Sequence, residues 1–136
     1  MIKISIAERI LLRITVMLLN SMIEKGKPPN EIFLSCKMAF CSAYKLLDSI
    51  EGQQALVKIN YITLLLAEGF FNAKDFHLAL QASIMGKRFA ECIKDVKSLN
   101  SFLTIINKII KSDLKLKDYA KKLELIDYDW IRKFCS

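Results

Sequence analysis

Valine occurs only three times in this chain (Val16, Val57, Val96), proline twice, glycine four times and histidine once. So little valine removes most of the case for a large sheet. Few chain breakers among many leucines, isoleucines and lysines favour long helices instead. With His77 alone and no Cys-x-x-Cys pair among Cys36, Cys41, Cys92 and Cys135, no zinc-ligand spacing is present, since such a site takes three or four donors. Neither Gly-x-x-x-x-Gly-Lys-Ser/Thr nor Gly-x-Gly-x-x-Gly occurs, so no phosphate cradle is encoded. Nothing local pairs His77 with a thiol as a nucleophile and base. The acidic pairs Asp127/Asp129 and Asp113/Asp118 lie in terminal, lysine-rich stretches and read as helix caps and solvated charges. No catalytic residue, metal or cofactor is expected.

Long uninterrupted apolar runs are missing too. The most apolar segment, Ala7 to Lys25, is broken by Arg9 and Arg13, and Asn20-Ser21 close its longest run. A membrane span needs about 20 predominantly apolar residues, so a soluble helix is expected. The first residues lack the charged region and cleavable small-residue site of a signal peptide. Cys36 and Cys41 are five apart, about 140° around a helix, and point away from each other. Reduced thiols in a cytoplasmic protein are the expectation.

What is present is apolar helical surface and positive charge. Hydrophobic residues make up 53% of 136, enough for one domain over residues 1–136 with a substantial core. The net charge is +7, and residues 87–122 hold ten basic residues against four acidic ones, a local excess of six.

Ser5-Ile6-Ala7-Glu8 has the form of a capping box, and the helix it opens runs to about Lys25, stopped by Gly26 and Pro28-Pro29. Its polar positions Arg9, Arg13, Asn20 and Glu24 form one narrow stripe, leaving most of the circumference apolar. Further helices are expected over about 31–48 with Asn30 as N-cap, 53–72, and 76–95 with Asp75 as N-cap. A shorter one follows, capped by Asn100 or Ser101 and ending near Lys111. A sixth carries Leu114 to Leu125, and Asp127 caps a final turn. On the second helix, Ser35 and Ser42 fall on the polar side, and Leu34 and Met38 on the core side. Short connections between helices of matched length favour antiparallel neighbours. The fold class expected is an all-α antiparallel bundle of about six helices.

Residues 60–93 carry a recognisable hairpin pattern. Leu66-Ala67, Phe70 and Asp75-Phe76-His77-Leu78-Ala79 stand at the signature positions of one unit, and the segment resembles a single tetratricopeptide repeat. Ser83 and Gly86 depart from that pattern, no proline closes the unit, and a shift of 34 residues puts Lys45 where a helix-contact alanine belongs. The same break followed by alanine occurs in other helical hairpins, including HEPN-type bundles. Their ribonuclease motif needs an arginine four to six residues before the histidine, and here residues 70–73 are Phe, Phe, Asn and Ala. What the repeat resemblance implies is a peptide- or protein-binding adaptor.

Two features become functional candidates. The nearly all-round apolar first helix is either the centre of the bundle or covered in part by a second copy or another protein, most simply as a homodimer. Leu12, Val16, Leu19 and Ile23 on it, with Phe70 and Phe76 of the hairpin, are the candidate protein-contact residues. On a continuous helix Lys108, Lys111, Lys115 and Lys122 share one face, which is either solvated or a contact for RNA or DNA backbone. Few aromatics accompany them. An interaction or assembly module is the leading expectation, and a basic nucleic-acid-binding protein the alternative.

Overall fold

The structure, a computed structural model, describes residues 6–134. Six helices follow one another: α1 (Ile6–Glu24), α2 (Pro29–Tyr44), α3 (Ile50–Asn72), α4 (Phe76–Ile93), α5 (Val96–Ser112) and α6 (Leu116–Phe134). No strand occurs among the described residues, and the chain is an all-α helical bundle. No helix in it is long and apolar enough to cross a membrane.

The boundaries follow from local chemistry. Gly26 stops α1 in the left-handed region (φ +63), where the Lys27 amide donates to the Met22 carbonyl and the Gly26 amide to that of Ile23. This double bond pattern satisfies carbonyls a helix end otherwise leaves open. The same closure recurs after α3 and α4, but with lysines in the left-handed position, Lys74 at φ 61 and Lys94 at φ 57. Each lysine is followed at once by the aspartate that caps the next helix. Asp75 accepts from the Leu78 amide at 3.3 Å, and Asp95 from the Ser98 amide at 3.1 Å. The repeated Lys-Asp pair is therefore the joint between successive helices in the middle of the chain. A non-glycine residue in this conformation costs about 1 kcal/mol or more. Lys94→Gly is expected to stabilise the fold by about 0.5–1 kcal/mol in chemical denaturation, the strain relieved outweighing the added entropy of the unfolded chain.

Several expected boundaries move. Pro28, not Asn30, precedes α2, with Pro29 in the first turn and no side-chain cap. Ser49 opens α3, accepting from the Gly52 amide at 2.9 Å, three residues earlier than the pattern suggested. Asp95 replaces Asn100 and Ser101 as the start of α5, because its carboxylate reaches both the amide and the hydroxyl of Ser98. Those two bonds hold the Asp95 carboxyl below its ordinary range, the hydroxyl bond being the main cause. Asp127 caps nothing: α6 continues through it, and its side chain is buried. Ser5, half of the expected capping box, and Cys135 lie outside the described residues.

Packing places α4, not the more apolar α1, at the centre. Five consecutive residues of α4, Ala82 to Gly86, are buried, so every side of the helix is enclosed at that level. Its neighbours are α3, α5, α6 and, less extensively, α2. The reason is size: Ala79, Ala82, Ser83, Gly86 and Ala90 let other helices approach closely on several sides. The Phe102 ring of α5 lies directly on Gly86, where an added Cβ would come within 2.2 Å of it. Phe40 of α2 stacks on Phe89 of α4 with ring centroids 3.7 Å apart. Beyond α4, α6 packs mainly on α4 and only slightly on α5. The Gln81 amide donates to the Tyr119 hydroxyl, and Lys87 and Arg88 both reach Glu124. α2 is packed from both sides by α1 and α3, and it reverses its expected faces: Ser35 and Ser42 are buried, Leu34 and Met38 exposed.

Candidate protein-interaction surface

α1 is bulky where α4 is slender. Between Ile6 and Glu24 the small residues are Ala7 and Ser21, and isoleucine, leucine and methionine occupy most other positions. Such a cylinder cannot be nested among close neighbours. It lies against α2 and makes little contact elsewhere, and only Leu12 and Leu19 are fully enclosed. At about 100° per residue, these two mark the inward direction. The opposite direction holds Ile6, Ile10, Ile14 and Met17, flanked by Leu11 and Leu18. All six are exposed, Met17 by 69% and Ile14 by 55%.

This placement corrects the residues expected at the interface. Leu12, Leu19 and Phe70 belong to the core of their own chain. Val16 and Phe76 are partly buried against it, and Ile23 stays exposed. The outward strip uses the other side of the same helix. Sequence periodicity had no means of separating the two sides, because both are equally apolar.

Between α1 and α3 runs an open groove of about 380 Å³. Leu12, Val16 and Ala55 form its apolar part, with Met17 and Arg13 on one wall and Glu51, Gln54 and Lys58 on the other. The Arg13 guanidinium lies 3.8 Å from the Glu51 carboxylate across it, both side chains well exposed. The polar stripe of α1 therefore borders α3, and the apolar strip beside it faces solvent.

The lysine candidates do not share one face. Asp113, with φ −149 and ψ 97, ends α5. Lys108 and Lys111 thus sit on α5, Lys115 in the connecting turn and Lys122 on α6. All four are exposed, but the stripe required an unbroken helix.

A second concavity, about 330 Å³, lies where Tyr44, Arg88, Glu91, Cys92, Tyr128 and Ile131 converge. Both terminal nitrogens of Arg88 are already engaged. Arg88 donates to the Glu124 carbonyl at 3.2 Å and to Glu91 at 3.4 Å, and lies 5.4 Å from the centroid of the Tyr128 ring. Nearby, burial pushes the Asp127 carboxyl up to about 6, against the pull of Lys37 and Arg88, and its Oδ2 has no hydrogen-bond partner. His77 is exposed, its ring 5.4 Å from that of Tyr119. Cys36, Cys41 and Cys92 form no disulfide among the described residues, and burial drives the Cys36 thiol up to about 12. Among the described residues no three His, Cys, Asp or Glu side chains gather as metal ligands.

The fold and surface define an all-α bundle with an apolar helix at its edge. Compared with known protein families, curated proteins and solved structures, the chain matches none.

Proposed function

We propose that this chain is a non-enzymatic protein-interaction or assembly module whose docking surface is the outward strip of α1. The observation that supports it is the six exposed apolar residues on a helix that its own chain holds from one side. Contiguous exposed apolar surface of this kind marks contact sites in soluble proteins. The resemblance of residues 60–93 to a repeat hairpin agrees with an adaptor role. Ala67 and Ala79, the small residues that resemblance singled out, are fully buried in the tightly packed α3–α4 pair.

The test is capture from the native source with tagged full-length chain, with and without nuclease. Wild type is expected to retain a protein partner after nuclease treatment, and Ile14→Lys/Leu18→Lys to lose it at least about tenfold, since two buried cations cost several kcal/mol. Capture untouched by these substitutions removes α1 from the proposal. The exposed lysines of α5 and α6 support a second reading, binding to nucleic-acid backbone. That reading requires heparin retention with a steep salt dependence that Lys108→Glu/Lys111→Glu/Lys115→Glu abolishes.

A further inference from the structure

We infer that the occupant of the α1 strip is a second copy of this chain, the two α1 helices packing antiparallel about a two-fold axis. This rests on the interaction-module reading and names its partner.

The strip is self-complementary in spacing. Along its centre Ile10, Ile14, Met17 and Ser21 follow at steps of four, three and four, the same series from either end. A copy running in the opposite direction presents the same ladder. Ile14 then meets the partner's Met17, and Ile10 meets the partner's Ser21, with Leu11 and Leu18 closing the side away from the polar stripe. Any antiparallel helix pair needs such layers to interdigitate.

Charge permits this partner and sets the direction. The chain carries +7, which opposes self-association in general. α1 adds nothing to that repulsion: Arg9 and Arg13 are balanced by Glu8 and Glu24, two minus two, leaving no net charge over residues 6–24. Two copies can therefore meet here without bringing their basic regions into the seam. The polar stripe bordering the strip runs from basic to acidic, Arg9 and Arg13 in its first half, Asn20 and Glu24 in its second. Parallel pairing sets arginine beside arginine and glutamate beside glutamate. Antiparallel pairing, centred between Thr15 and Val16, brings Arg9 alongside the partner's Asn20 and Glu24, twice by symmetry.

Two charge variants test this. The acidic variant is Arg9→Glu/Arg13→Glu, and the basic variant is Asn20→Lys/Glu24→Lys. These positions are exposed or half-exposed, so both variants should keep wild-type helicity by circular dichroism. Light scattering over about 10–500 µM chain reads the mass. Wild type is expected to dimerise, each variant alone to dissociate at least about tenfold more readily, and an equimolar mixture to recover the dimer. Variants that self-associate as well as wild type overturn the pairing. A wild-type chain that stays monomeric over that range overturns the second copy as occupant. If Ile14→Lys/Leu18→Lys still abolishes capture of a different protein, the module reading stands while this inference falls.

Discussion

Gly86→Leu is expected to abolish cooperative folding, and Gly86→Ala to cost a measurable part of the stability. The backbone of α4 at Gly86 touches the ring of Phe102, which is itself fully buried. A single added methyl would lie 2.2 Å from the ring, far inside van der Waals contact. α5 must then shift outward or the ring must leave its rotamer, and overpacking of this kind costs about 1–3 kcal/mol. Alanine returns about 1 kcal/mol through its higher helix propensity, so the alanine variant should lose a few tenths to 2 kcal/mol in urea denaturation. Leucine adds three further heavy atoms with no space to enter, and its loss should exceed 3 kcal/mol. The pair offers a check on mechanism. Phe102→Leu alone opens a cavity and should cost about 1–3 kcal/mol, whereas in the Gly86→Ala background it should cost clearly less, because it removes the clash. Equal cost in both backgrounds would show that the ring and the glycine are not in contact.

The second large effect is a pH dependence centred on Asp127. Its carboxyl is buried against α2 and α4, with Lys37, Arg88 and Glu124 around it, and burial raises it from the ordinary 3.8 to about 6. The folded state thus binds this proton more tightly than the unfolded chain does. Below about pH 4 both states hold it, and the favourable contribution is fully present. As pH rises through the window from about 4 to 6, folding has to take up a proton from a thinning supply, and stability falls. Two units at about 1.36 kcal/mol each give a decline of up to about 3 kcal/mol, complete above about pH 6. Asp95 acts with the opposite sign, since its depressed carboxyl contributes stability that is lost on acidification below the ordinary range. The two are separated by substitution. Asp127→Asn should flatten the curve between pH 4 and 6 and raise stability at pH 7. A wild-type curve that climbs through that window would contradict the assignment.

Much of the architecture was readable before any coordinates, and the reasons for what was not are specific. Among the described residues, six helices and no strand follow from abundant helix formers and scarce breakers, and Gly26 and Asp75 mark joints for the reasons their chemistry dictates. The second Lys-Asp joint, Lys94-Asp95, was hidden because its helices continue with apolar residues on both sides. Hydropathy also left the central place open to α1, and α4 holds it. It measures how much a helix gains from burial, not whether neighbours can come close enough to bury it. The small residues Ala79, Ala82, Ser83, Gly86 and Ala90 decide that, and they lie on α4. The same argument explains why Ser35 and Ser42 are buried while Leu34 and Met38 face outward. On α1, both faces are apolar, so Leu12 and Leu19 could not be told from Ile14 and Met17 until α2 was seen to take one side. The lysine stripe failed at Asp113, whose extended backbone turns the chain between α5 and α6.

The interaction-module reading depends on whether the outward strip of α1 is a contact surface. The most direct measurement is the mass of the full chain by light scattering as concentration rises, wild type beside Ile14→Lys/Leu18→Lys. The account predicts that wild type moves toward twice its 15.6 kDa and that the variant, equally helical, stays at 15.6 kDa. A dimer that survives both substitutions would contradict it, as would a wild-type chain that shows neither self-association nor any partner lost with them.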